Sequence, residues 1–224
     1  NDQFTTAQVN AFYHVSKVHD WIKATGFAPN GVDVAIPTIV NINKKCNGYY
    51  LPDDVALHFN AAGGGCINAA FDTFIRHEYG HFIDDMIGGI TNKGLSEGWG
   101  DTIALYSTGQ PLFAEGFKGN PLAALRTGEN TTHYPLGEMT GKNVDPEPHF
   151  LGESWMGFNW KIRKALILAQ GEALGIALAE NLVLPVLWAN SPDIPAAVVE
   201  VLIRDDDDSD LSNGTPHYDI LFAA

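Results

Sequence analysis

Basic residues are scarce in this chain of 224 residues: 13 Lys and Arg stand against 27 Asp and Glu, a formal net charge of −14. That balance argues against a surface built to neutralise phosphates, so nucleic acid and anionic membranes are set aside as partners. Cysteine is scarcer still. Two residues, Cys46 and Cys66, exclude a disulfide-dense scaffold. They flank one hairpin-like segment, which suggests a bridge between them, with two separate buried thiols as the alternative. No apolar run reaches the roughly 20 residues needed to cross a bilayer. The nearest, Ala165 to Leu187, is interrupted by Gln170, Glu172, Glu180 and Asn181. Internal repeats and low-complexity tracts are also missing. The chain begins at Asn1 without a basic segment leading into an apolar one, so we expect a mature or trimmed form. On this reading it is secreted and monomeric, and any signal peptide or inhibitory pro-segment lies outside it.

What is there is an ordinary globular composition, 45% apolar and 18% charged, enough to bury a substantial core. Apolar residues from Val9 to Ile22 recur at helical spacing, which predicts a helix over Thr5 to Lys23 ended by Gly26 and Pro29. Val32 to Ile42 is rich in β-branched residues and predicts a strand, with Pro37 marking an edge or bulge. Tyr49 to Leu51 and Val55 to Phe59 predict two more short strands. Helices follow: Ile67 to Ile87, stopped by Gly88-Gly89; Leu95 to Tyr106; Leu151 to Val186 with a break at Gly171; and Ile194 to Ile203. Residues 108 to 148 read as an irregular connection. Strands first and helices after them predict an α+β fold in two lobes with a cleft between them.

The chemistry concentrates in His77-Glu78-Tyr79-Gly80-His81. Imidazoles four residues apart share one face of a helix and can reach a single zinc ion at about 2.0–2.1 Å. Glu78 lies beside them, placed to hold a water against the metal. Catalytic zinc takes three protein ligands and keeps one position open. One known solution puts a third His or Asp six residues after the second His, but that position is Ile87 and the glycine it requires is Asp84. The other draws a Glu from a second helix. Gly94-Leu95-Ser96-Glu97-Gly98-Trp99-Gly100-Asp101 meets that requirement, with Glu97 sixteen residues after His81. Asp101, four residues further along the same face, is placed to accept the far N–H of a ligand histidine.

These two segments resemble the gluzincin metallopeptidases, nearest to the fungalysin family and more distantly thermolysin. Ala11-Phe12-Tyr13-His14 with His19-Asp20 and Gly26-Phe27, Cys46-Asn47-Gly48-Tyr49-Tyr50, and Pro148-His149-Phe150-Leu151-Gly152-Glu153-Ser154-Trp155 are similar to further fungalysin segments. The resemblance is best over residues 67 to 165. It implies a two-lobed zincin-like fold: an N-terminal lobe (1–92) with a small sheet and the motif helix, and a mainly helical lobe (93–224) carrying the third ligand. It also implies a zinc endopeptidase acting on proteins or peptides, with zinc on His77, His81 and Glu97, Glu78 as general base, and His149 as donor to the transition state. Substrate would pair with the backbone near Asn47 and Gly48. The chain departs from the pattern in being much shorter, and in having Gly88 where thermolysin carries a tyrosine nine residues before its zinc glutamate. His133 competes with His149 for the donor role, but His149 has a helix start directly behind it. His14, His19 and His58 read as structural or surface residues.

Asp205 to Asp210 is a dense carboxylate run. Asp206, Asp208 and Asp210 have the alternate spacing of a calcium loop, yet the twelfth position is His217 where an EF-hand needs Glu. Calcium, or a solvated acidic turn, are the two readings. For the whole chain, an aminopeptidase on the same scaffold and a zinc-stabilised adhesion or binding module without activity are the alternatives to an endopeptidase.

Overall fold

The computed structural model describes residues 2–134 and 147–224. Helix α1 (Gln3–Ala24) starts where the Asp2 carboxylate accepts the Phe4 N–H and buries Ala7, Ala11, Val18 and Ile22. Three strands follow: β1 (Thr38–Ile42), β2 (Gly48–Leu51) and β3 (Ala56–Asn60). They form a mixed sheet in the order β1-β3-β2, with β1 parallel and β2 antiparallel to β3. Both β1 and β2 are therefore edges. The predicted strand from Val32 is cut to its last five residues. Pro37 has no N–H to donate, and Asn41, at φ +62°, kinks the strand where its register with β3 shifts. Cys46 and Cys66 are joined in a disulfide that ties the start of β2 to the segment after β3.

Helix α2 (Asp72–Met86) carries the two motif histidines. It begins five residues later than the sequence suggests, because Ala69 N–H is bonded to the Asn60 carbonyl and Ala70 N–H to the Asn68 side chain, which hold residues 67–71 in non-helical bends beside the end of β3. Helix α3 (Lys93–Thr108) opens on Asn92, whose side chain accepts the Leu95 N–H, and closes on Gly109 in the left-handed region. Two short strands, β4 (Leu112–Phe113) and β5 (Arg126–Thr127), pair inside the stretch read as irregular. Helix α4 (Pro148–Gln170) then runs to Gly171, followed by α5 (Glu172–Val183), a 3-10 turn (Leu184–Ala189), α6 (Ile194–Asp205), a second short 3-10 turn (Leu211–Asn213) and α7 (Tyr218–Ala223). The result is an α+β chain in which helices predominate. The segment Glu172–Ala189 is long and apolar enough to pass for a membrane span by length and composition. Here the α-helix stops at Val183, and Leu182, Val183, Leu184, Val186 and Leu187 are buried in the core.

Glycine decides how closely the site-bearing helices approach. A Cβ on Gly80 of α2 would stand 2.9 Å from the Gly100 Cα of α3, and a Cβ on Gly98 of α3 would stand 2.8 Å from the Gly152 carbonyl oxygen of α4. The buried Trp99 and Trp155 lock the second crossing edge to face. Overpacking of this kind costs about 1–3 kcal/mol, and a clash with backbone belongs in the upper part of that range. It outweighs the 0.5–1 kcal/mol or so that alanine gains over glycine inside a helix. Gly80→Ala should therefore lower stability by about 2 kcal/mol, read as a drop in the denaturant midpoint at unchanged slope. A midpoint equal to wild type would mean that the helices have room to separate.

Candidate metal centre

His77 and His81 project from the same face of α2 toward Glu97 on α3. His77 and Glu78 are buried, while His81 and Glu97 each keep 19% of their side chains exposed. The Nε2 atoms of the two histidines are 3.2 Å apart. Glu97 Oε2 lies 3.2 Å from His77 Nε2 and 3.5 Å from His81 Nε2. A tetrahedral zinc with bonds of about 2.0–2.2 Å sets its donor atoms about 3.3–3.6 Å apart. The three donors thus stand at close to the spacing that one ion requires, and they form one of two groups among the described residues able to hold a metal.

The groups around Glu97 favour its ionised form. Glu97 Oε2 is fully buried, and no donor meets it in hydrogen-bonding geometry although three imidazole nitrogens lie within 3.5 Å. A buried carboxylate oxygen left in that state is costly unless a cation completes it. Burial alone would raise the Glu97 carboxyl, but the His77 and His81 imidazoles overcome it and hold the group far below the ordinary carboxylate range. Burial would likewise lower His77, yet Asp101 and Glu97 push it up to about 10.

Asp101 is completely buried and accepts His77 Nδ1–H at 2.8 Å. Arg126 grips it with two N–H donors, at 2.6 and 2.7 Å, while lying over the Phe113 ring. Burial opposes ionisation of Asp101, but the Arg126 charge and His77 bring its pKa down to about 2. With a cation in the cluster, His77 would keep its proton on Nδ1, held by Asp101, and turn an Nε2 lone pair toward the ion. Arg126 was not legible beforehand. It comes from β5, inside the stretch that read as irregular, and no motif marks it.

Glu78 Oε2 accepts the Tyr50 N–H of β2 at 3.0 Å, and Tyr50 in turn donates its hydroxyl to Asp85 at 2.6 Å. Burial and the neighbouring Asp85 carboxylate raise the Tyr50 phenol well above its usual value, so it stays a neutral donor. The free edge of β2 thus faces the cluster. Amide direction alternates along a strand, so Gly48 presents its backbone groups on the same side as Tyr50. Asn47 differs, since its carbonyl accepts the Asn60 N–H and is turned toward β3. A cleft of about 470 Å³ runs along this edge past Glu78, His81 and Glu97. A smaller hollow of about 210 Å³ continues beyond His77, walled by Phe74, Phe113, Phe117 and Leu125.

His149, near the start of α4, is half exposed, and its Nε2 lies 3.2 Å from Glu97 Oε2. Its Nδ1 is bonded to Glu147, whose carboxylate also accepts the Phe150 N–H at the helix start. His133 is exposed in the connection before residue 135. His14, His19 and His58 lie against carboxylates of Asp72, of Asp20 and Asp33, and of Asp54.

The acidic run departs from its expected spacing. Asp206, Asp207 and Asp208 draw together, whereas Asp210 turns away to accept both the N–H and the hydroxyl of Ser212. A tight local turn, held also by the Asp210 N–H on Asp208, has replaced the alternating loop. Asp205 is buried and ties His217 and Thr215 to the end of α6.

Scans of the chain against protein-family models and against curated proteins returned no match.

Proposed function

We propose that this chain is a secreted zinc-dependent metalloendopeptidase of the gluzincin kind, with residues 1–92 and 93–224 forming the two lobes of a zincin-like fold. The observation that carries the reading is the convergence of His77 Nε2, His81 Nε2 and Glu97 Oε2 at 3.2–3.5 Å spacings beside the open edge of a strand. Zinc held there would act as a Lewis acid on a scissile carbonyl and bring the pKa of a water toward about 7.

The chain's own groups supply the rest. Glu78 takes the proton from the attacking water and later delivers it to the departing amine. Tyr50 N–H fixes one of its oxygens, which leaves Oε1 without a protein partner among the described residues. An extended peptide adds as a strand to β2, with Gly48 offering the backbone groups, and this orients the scissile bond. His149, with Nδ1–H held by the Glu147 carboxylate, donates from Nε2 to the developing oxyanion as the doubly protonated imidazolium. A donor of this kind is worth on the order of 10²–10³ in kcat.

The direct test is hydrolysis of an unfolded protein such as casein. Activity should vanish with a zinc chelator and return with added zinc. It should survive acetylation of a peptide substrate's N-terminus, which would stop an aminopeptidase. Stoichiometric zinc binding without any hydrolysis would instead make the chain a metal-stabilised binding module.

A further inference from the structure

We infer that Ser96 and Asp84 form a second orienting chain, which fixes the tautomer and aim of His81 as Asp101 does for His77. The inference rests on the zinc reading above. Ser96 Oγ donates to Asp84 Oδ2 at 2.6 Å and lies 3.3 Å from His81 Nδ1. A hydroxyl that spends its one hydrogen on a carboxylate has only lone pairs left for the imidazole. His81 must then carry its proton on Nδ1, and its Nε2 lone pair faces His77 Nε2 and Glu97 Oε2.

Asp84 is built to keep that direction fixed. It is buried, with 5% exposure, and its Oδ1 accepts the Ile90 N–H at 2.6 Å, so the carboxylate cannot turn. The three residues come from two helices: His81 and Asp84 are less than one turn apart on α2, and Ser96 precedes Glu97 on α3. One α3 turn thus supplies both a metal donor and the hydroxyl that aims another. The two histidines end up differently supported. His77 is held by a carboxylate directly, at 2.8 Å, and His81 through a hydroxyl.

The polarity of the chain makes a distinctive prediction. In Asp84→Asn the side-chain carbonyl keeps the Ile90 N–H and the amide faces Ser96. Ser96 must then accept from Asn and donate to His81 Nδ1, which favours the tautomer with its proton on Nε2, where the metal would sit. Ser96→Ala only removes the partner. Ser96→Thr keeps the hydroxyl.

The experiment is a zinc dissociation constant for each purified variant, measured by competition with a chromogenic chelator, with thermal unfolding of the zinc-free proteins alongside. Orienting partners of this kind are worth about 10–100-fold in metal affinity. Ser96→Ala should weaken zinc binding within that range, Asp84→Asn at least as much, and Ser96→Thr should bind like wild type. The zinc-free Ser96→Ala protein should unfold somewhat below the wild-type temperature, because the buried Asp84 Oδ2 loses its donor, and Ser96→Thr should unfold like wild type. Equal affinity in Ser96→Ala and wild type overturns the inference, as does zinc binding in Ser96→Thr as weak as in Ser96→Ala. Should Asp84→Asn fail to fold for want of its bond to Ile90, the two Ser96 variants decide. A wild-type protein that takes up no zinc sinks the metal site itself and this inference with it. Tight wild-type binding with unaffected variants sinks only the orienting chain.

Discussion

Glu78→Gln should retain full zinc and lose hydrolysis by on the order of 10²–10⁴-fold in kcat, the span that a positioned general base contributes. The substitution is close to isosteric. Its amide oxygen can still accept the Tyr50 N–H that Glu78 Oε2 accepts at 3.0 Å, so the edge of β2 and the cleft wall stay in place. What disappears is a group able to take a proton. Loss of activity with unchanged metal content and unchanged unfolding temperature therefore isolates the base. Undiminished kcat in the variant, purified free of wild type, would sink the assignment of Glu78 and with it the hydrolytic reading.

The second large effect is expected at the metal. Glu97→Ala removes one of three donors. Structural zinc sites bind with about 10–16 kcal/mol over four ligands, or about 2.5–4 kcal/mol each, so zinc affinity should fall by on the order of 10²–10³-fold. In the zinc-free protein the His77 and His81 imidazoles favour ionised Glu97 against its burial, so the substitution also costs some zinc-free stability, and the two losses have to be read separately. Zinc content by metal analysis after dialysis at low zinc, set beside zinc-free stability, tests this. Wild-type stoichiometry under those conditions would exclude Glu97 as a ligand. Gly100 sharpens the point, since a Cβ there would meet the His77 ring at 2.8 Å. His77 and helix α3 are packed against each other with no slack.

Local patterns were readable wherever a residue's role depends on its chain neighbours. The pairing of His77 with His81 follows from helical spacing, and Glu97 follows from a second helix returning after Gly88-Gly89. The glycine at 171 does end α4, whereas Asp2 and Asn92 cap helices that start two residues ahead of where periodicity suggests. Boundaries slipped where long-range pairing competes with periodicity. Residues 67–71 look helical in sequence, but Ala69 is claimed by Asn60 across the sheet. Val32 to Pro37 look like strand, yet β3 has only five residues with which to pair.

What the sequence determined by itself is the candidate set: two imidazoles and a carboxylate one helix later as possible metal donors, with Glu78 between the imidazoles, since helical geometry converts spacing into a shared face. Tertiary structure alone decided which groups aim those donors. Arg126 reaches Asp101 from β5, Tyr50 N–H reaches Glu78 from an edge strand, and Ser96 spans α3 to α2. Such partners come from distant segments, and their contacts depend on how closely the helices approach. That distance was set by glycines whose role is visible only once the helices are packed.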